Sequence, residues 1–318
     1  MSWHTEPLTG FDLETTGVNV ETARIVTAAI VDYEPGDTVD TLPDRARLWL
    51  ANPGVYIPAE ATAVHGITTE QARANGRPVA DVANEIADAL AASLSTSIPV
   101  VAMNARYDFT VLDRELRRHQ LPTLQQRLGT DVTPGPVVDP YILDKQADKY
   151  RRGSRKLEAL AAHYGLALDA AHTADADAFA GIQVAVAIGE KYEQLHVHPE
   201  QLHAWQIWWA AQQAAEFQVY KRKTDPDVVI DGDWPLVPFT AERKLRTDLV
   251  TLAERYEAIA AKARTEVGEE RGRQIRQTAR DIRTVLSTGR LPIYLMTDDE
   301  LEAGSPAQHA EIVEEPAS

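Results

Sequence analysis

Between residue 7 and about residue 190 the chain alternates strand-like and helix-like patterns, and this order limits the folds open to it. Three apolar runs, over residues 8–13, 24–33 and 45–50, read as strands joined by short turns. Residues 79–94 (VADVANEIADALAASL) carry apolar positions at helical spacing, and 98–102 (IPVVA) is a short buried strand. A helix over 105–119, a strand near 137–138 and helices over 155–164 and 173–191 follow. Three sequential strands and then an alternation of helices and strands predict an α/β fold, a mixed sheet with helices packed on its faces. Beyond Gly189 the character changes. Residues 199–222 form an amphipathic helix ended by a turn at 223–226, followed by the strand-poor VVIDGDWPLVP. Residues 240–287 are a long charged helical stretch with apolar Leu245, Leu249, Leu252, Tyr256, Ile259 and Ala263 at 3–4 spacing. The expected layout is a domain over 1–190, a helical extension over 191–297 and an acidic, disordered tail over 298–318.

Composition narrows the chemistry. The chain has no cysteine, which removes disulfides, thiolate zinc sites and cysteine nucleophiles. Its first residues, MSWHTEPLTG, have neither the basic nor the apolar region of a secretion signal, and its apolar runs are too short to span a bilayer. A soluble, cytoplasmic protein with no membrane partner is expected. The formal net charge of −16 argues against a protein that coats nucleic acid nonspecifically. Seven acids and no Lys or Arg lie in the last 21 residues, however, so the tail supplies much of that excess. A cluster of carboxylates is also what holds hard divalent cations.

Three short motifs carry the candidate chemistry. In Phe11-Asp12-Leu13-Glu14-Thr15-Thr16-Gly17, alternate residues of a strand share a face, so Asp12 and Glu14 can present two carboxylates side by side. Such neighbours raise one another's pKa unless a cation sits between them. A solvated polar face at a strand end accounts for the pair equally well. In Asn104-Ala105-Arg106-Tyr107-Asp108-Phe109, Asp108 falls in the first turns of a helix, where the dipole alone also favours an acid. In His172-Thr173-Ala174-Asp175-Ala176-Asp177, the histidine precedes a helix and Thr173 is placed to cap it.

Taken together, Asp-x-Glu, then Asn-x-x-x-Asp, then His with Asp five residues on resembles the DEDDh exonucleases, the DnaQ-like family. That family includes the proofreading ε subunit of bacterial DNA polymerase III and ribonuclease T. Val64-His65-Gly66-Ile67-Thr68, and Lys156-Leu157-Glu158-Ala159-Leu160 leading to Tyr164-Gly165, extend the likeness over about residues 7–190. The resemblance implies a ribonuclease H-like, five-stranded mixed sheet. It implies a 3′→5′ exonuclease that releases nucleoside 5′-monophosphates by a two-metal mechanism. Asp12, Glu14, Asp108 and Asp177 would hold two divalent ions, and His172 would take a proton from the attacking water. The five-residue spacing selects Asp177 over Asp175. Oxygen ligands without thiolates favour Mg²⁺ or Mn²⁺. By the same resemblance Thr15 would contact the terminal nucleotide, His65, Gly66 and Ile67 would pack around the last nucleotides, and Asn104 would orient the second motif.

The implied partner is a nucleic-acid 3′ end, single-stranded DNA in preference, and a replication or polymerase partner is open. An exoribonuclease of the same family and a catalytically silent nucleic-acid-binding or polymerase-tethering module are the alternatives. Lys145, Lys149, Arg151, Arg152, Arg155 and Lys156 face one acid, Asp148, over 145–156. That loop, through Arg151 and Arg152, is expected to guide the substrate's phosphates. Arg273, Arg276, Arg280 and Arg283 would stack along one helical stripe, as a solvated face or as a second nucleic-acid contact.

Overall fold

The computed structural model describes residues 2–129, 133–168 and 173–239. His172, the stretch 240–287 with its arginine stripe and the tail 298–318 lie outside the described residues. Within them six strands form one mixed sheet: β1 (Leu8–Thr15), β2 (Ile25–Tyr33), β3 (Ala46–Asn52), β4 (Arg77–Pro78), β5 (Val100–Val101) and β6 (Val137–Val138). Their spatial order is β4-β3-β2-β1-β5-β6. The first three strands are antiparallel neighbours, and β4, β5 and β6 pair in parallel with β3, β1 and β5. The strand beyond the expected five is β4. Its two residues pair with Ala51 and Asn52, too short a run to leave a period in the sequence.

The helices, in chain order, are α1 (Leu42–Arg45), α2 (Ala59–His65), α3 (Thr69–Asn75), α4 (Val79–Ser95), α5 (Ala105–Arg118), α6 (Leu124–Arg127), α7 (Pro140–Ala147), α8 (Leu157–His163), α9 (Ala174–Lys191) and α10 (Pro199–Lys221). None of the described helices is long and apolar enough to cross a membrane. The long helices form over the expected residues, but α10 is not the amphipathic helix expected: it buries Gln206 and Gln213 and exposes Trp208 and Phe217. The short helices α1, α2, α3, α6 and α7 were not predicted, because one or two turns show no amphipathic repeat. Side-chain caps start several of them. Thr68 and Gln71 form a reciprocal capping box at the start of α3, and Asp139 caps α7 ahead of Pro140.

The alternation in β1 sorts its side chains as the sequence implies. Phe11 and Leu13 are buried, and the Phe11 ring meets Phe109 of α5 edge-on, with centroids 5.6 Å apart. Burying a side chain of this size contributes about 1.5–3 kcal/mol, so this face anchors the strand. Gly10, Asp12 and Glu14 share the opposite face, on which α9 lies. A Cβ on Gly10 would stand 2.8 Å from Ile182 Cδ1 and 3.0 Å from the Ala178 carbonyl oxygen. The missing side chain therefore lets α9 settle directly on β1, and it brings Asp177, the neighbour of Ala178, alongside Asp12. Gly10→Ala is expected to push the helix outward, at a cost of about 1–3 kcal/mol for overpacking. Thermal unfolding should show the drop. Turnover measured well below the melting temperature should fall as well, because Asp177 moves with α9.

The sheet's β6 edge is covered by α10. Gln206, fully buried, donates from Nε2 to the Val137 carbonyl (2.9 Å) and accepts from the Asp139 amide (2.8 Å). A side chain thus satisfies edge-strand backbone that would otherwise invite pairing. The compact unit containing the sheet runs from Met1 to Val237.

Candidate active site

At the end of β1 the carboxylates of Asp12, Glu14 and Asp177 each offer an oxygen within 4.8 Å of the other two. Asp12 and Glu14 come from alternate positions of the strand, opposite Ala29 and Thr27 of β2. The ladder shifts register between Glu14 and Thr15, which ends the strand directly after the second carboxylate. Asp177 comes from the first turn of α9. Asp175 shares that turn, but among the described residues it is no part of the cluster. The spacing argument and the geometry therefore select the same aspartate.

Asp108 reaches the site from the other side. It lies in the first turn of α5, is 3% exposed, and accepts a hydrogen bond from the Leu13 amide (3.2 Å). That amide belongs to the residue between the two strand carboxylates, so a single bond fixes α5 to the acidic end of β1. Burial pushes the Asp12 carboxyl well above the usual carboxylate range, and the carboxylates of Asp108, Glu14 and Asp177 push it further. Asp108 is raised as well, first by burial and then by Asp139 and Glu14, against the opposing pull of backbone amides. Packing acids against acids is costly in an apolar interior unless positive charge joins them. The donor set, carboxylate oxygens alone, fits hard divalent cations.

The Thr15 and Tyr107 hydroxyls lie within hydrogen-bond reach of each other and of the Gly17 carbonyl, so their two protons are shared among three contacts. Tyr107, not anticipated from sequence, thereby pins the turn that follows the first motif. Burial pushes its hydroxyl up to about 12, and the neighbouring carboxylates add to the rise. His65 ends α2, and its Nδ1 accepts from the Ile67 amide (3.1 Å). Burial lowers its pKa, with the Thr15 backbone opposing. Gly66, at φ 76°, takes the left-handed conformation that closes α2 and needs glycine. Ile67 packs, partly exposed, against a small core of Val26, Ile57 and Ala72. Asn104 is left-handed too, at φ 61°, and its backbone turns the chain from β5 into α5.

The basic loop divides. Arg151 and Arg155 both lie on the fully buried Asp144, at 3.2 Å from Arg151 Nη2 and 2.7 Å from Arg155 Nε. Tyr164 adds its hydroxyl at 2.9 Å. A buried carboxylate needs such partners, which is the physical reason the two arginines are held in. Arg152 stands in solvent. Arg152→Gln is accordingly expected to raise KM for an oligonucleotide and to flatten its dependence on salt. Arg151→Gln should instead lower the melting temperature, since breaking a buried ion pair costs about 3–5 kcal/mol. Steady-state kinetics across salt concentrations and thermal unfolding of both variants check the division.

An acidic cluster stands at the end of β1, with a fourth carboxylate bonded to that strand's backbone, and could hold a divalent cation. Residues 9–185, more than half of the chain, match the RNase_T family, described as exonuclease, and the chain belongs to that exonuclease family. It is an enzyme of the nuclease class. Among curated relatives it is similar to the PolC-type DNA polymerase III of Streptococcus thermophilus, 28% identical over 169 residues, which are 53% of this chain and 10% of that protein. The protein of the same description from Streptococcus pneumoniae is 26% identical over 169 residues, with the same coverage. The chain therefore spans about a tenth of the length of these relatives. Among solved structures it is similar to exonuclease I, at 19% identity and a TM-score of 0.49 over 60% of this chain and 42% of that one. Escherichia coli exonuclease I in complex with a dA16 oligonucleotide gives 19% and 0.47, with the same coverage. The moderately thermophilic exonuclease I from Methylocaldum szegediense gives 19% and 0.46 over 68% of this chain and 46% of that one. At these scores the likeness is loose and assigns no residue.

Proposed function

We propose that the chain is a 3′→5′ exonuclease that removes nucleoside 5′-monophosphates from the 3′ end of single-stranded nucleic acid, DNA in preference. The observation that carries this reading is the convergence of Asp12, Glu14 and Asp177, with Asp108 bonded to the strand between the first two. These four residues would hold two divalent ions, Mg²⁺ or Mn²⁺. The chemistry such ions supply when bound is the activation of water and the neutralisation of charge developing on the phosphate.

The protein's own groups have distinct tasks. Asp12 and Glu14, fixed by strand geometry, set one side of the ligand cage; Asp177, carried by α9, closes it. His172 would receive the proton of the attacking water, a role matched to imidazole because it titrates near neutrality. The turn pinned by Tyr107 and Thr15, with His65 and Gly66 beside it, would receive the terminal nucleotide. Arg152 would meet phosphates farther along the strand without reading sequence. The preference for DNA draws on the likeness to a DNA polymerase, which also makes a replication complex the partner of choice. An exoribonuclease would use the same cage and differ in one or two contacts to the 2′-hydroxyl.

Matched DNA and RNA oligonucleotides of one sequence, offered side by side, test the substrate. Faster release from DNA supports the reading; faster release from RNA makes the chain an exoribonuclease.

A further inference from the structure

The segment after α10 runs without regular structure from Val228 to Val237 and lies outside residues 9–185, yet it is stitched to α5. Arg106, Thr110 and Arg114 are four residues apart and so form one line along that helix. Arg106 Nε donates to the Asp233 carbonyl (2.9 Å), and its Nη2 pairs with Asp231 at 3.5 Å. The Val237 amide donates to Thr110 Oγ1 (2.9 Å), and Arg114 Nη2 donates to the Val237 carbonyl (3.0 Å). Trp234, Leu236 and Val237 are buried, which fixes this strap by apolar anchors as well as polar ones.

One residue joins the strap to the acidic site. Asp139, 1% exposed, gathers four N–H donors on one carboxylate: the amides of Asn104 (3.0 Å), Ala105 (3.0 Å) and Tyr141 (2.9 Å), and the indole Nε1 of Trp234 (3.2 Å). The first two are the opening amides of α5. Asn104 makes no side-chain cap bond of its own, so Asp139 caps α5 from a neighbouring element. Asp108 sits three residues after Ala105, in the turn whose amides are held in this way. The strap therefore grips α5 along its side and, through Trp234 and Asp139, at its start.

We propose that Trp234 and the strap 231–237 are positioning elements of the nuclease site, holding α5 through Asp139 so that Asp108 meets the end of β1. The exonuclease unit then extends past the family-matched residues, to Val237. This rests on Asp108 being a metal ligand, as read above, and metal binding tests it independently of turnover.

Trp234→Phe in the full chain keeps a ring and removes the indole N–H. Asp139→Asn replaces a pure acceptor by a group that must turn an amide toward N–H donors. The readouts are Mn²⁺ affinity by calorimetry, turnover at limiting and saturating Mn²⁺, and thermal unfolding. Loss of one hydrogen bond to a charged group should weaken Mn²⁺ binding about tenfold in Trp234→Phe. Turnover should fall in parallel at limiting Mn²⁺ and recover at saturation, with KM for the oligonucleotide unchanged. Asp139→Asn should be worse on each count, and Trp208→Ala, an exposed position on α10, should match the wild type. A Trp234→Phe protein with a lower melting temperature but undiminished Mn²⁺ affinity would show a purely structural strap and overturn the proposal. So would wild-type affinity in both variants, or a wild type that binds no Mn²⁺. If the wild type binds Mn²⁺ but cleaves no oligonucleotide, the functional reading fails, while the calorimetric comparison still decides the positioning role.

Discussion

Asp12→Ala and Asp177→Ala are each expected to abolish mononucleotide release, while Asp175→Ala keeps most of it. Each of the first two removes one of three carboxylates whose oxygens converge within 4.8 Å; the third removes an acid outside that cluster, two residues from Asp177. Divalent ions held by carboxylates alone depend on every one of them, so no neighbouring side chain substitutes. Stability should move the opposite way. Burial and three carboxylates act together to disfavour a charge on Asp12. Asp12→Asn, inactive, should therefore melt at a higher temperature than the wild type when both are held in chelator. A lower melting temperature would mean that the carboxylate is matched by positive charge within the protein. Activity lost in the Asp175 variant and kept in the Asp177 variant would move the ligand two residues earlier in α9.

The second large effect is expected at His172. His172→Ala should slow hydrolysis by about 10²–10⁴-fold, the range for a positioned general base. An imidazole acts as base only when neutral, so the wild-type kcat/KM should fall toward acid pH as the ring protonates. The variant should lack that limb and retain Mn²⁺ binding. Calorimetry and a pH–rate profile on one preparation distinguish base from ligand. Loss of Mn²⁺ affinity in His172→Ala would make the histidine a ligand, and an unchanged pH profile would deny it the proton.

Much of the site was legible in sequence because its chemistry dictates residue types at fixed offsets. Asp12 and Glu14 had to alternate on a strand, and Asp108 had to open a helix directly after another strand. The first three strands showed because their apolar runs are long enough to carry a period. What escaped was held by contacts remote in sequence. Nothing near Arg151 announced that Asp144, seven residues earlier, would be buried and draw both Arg151 and Arg155 inward. The close approach of α9 to Gly10 likewise joins residues more than 160 positions apart. The Asp139 bonds to Asn104 and Trp234 span 35 and 95 residues. No local pattern encodes such a joint, and the strap that uses it lies in a stretch whose only sequence trait is the lack of a period.

The central claim is metal-dependent removal of nucleotides from the 3′ end. One experiment meets it directly: a single-stranded DNA oligonucleotide labelled at its 5′ end, incubated with the protein in Mg²⁺ or Mn²⁺ and, in parallel, in excess chelator. The account predicts a ladder of labelled strands shortened one nucleotide at a time, with unlabelled nucleoside 5′-monophosphates as the released product and no cleavage in chelator. Label released at once as a mononucleotide, fragments produced by internal cleavage, or equal degradation in chelator would contradict it.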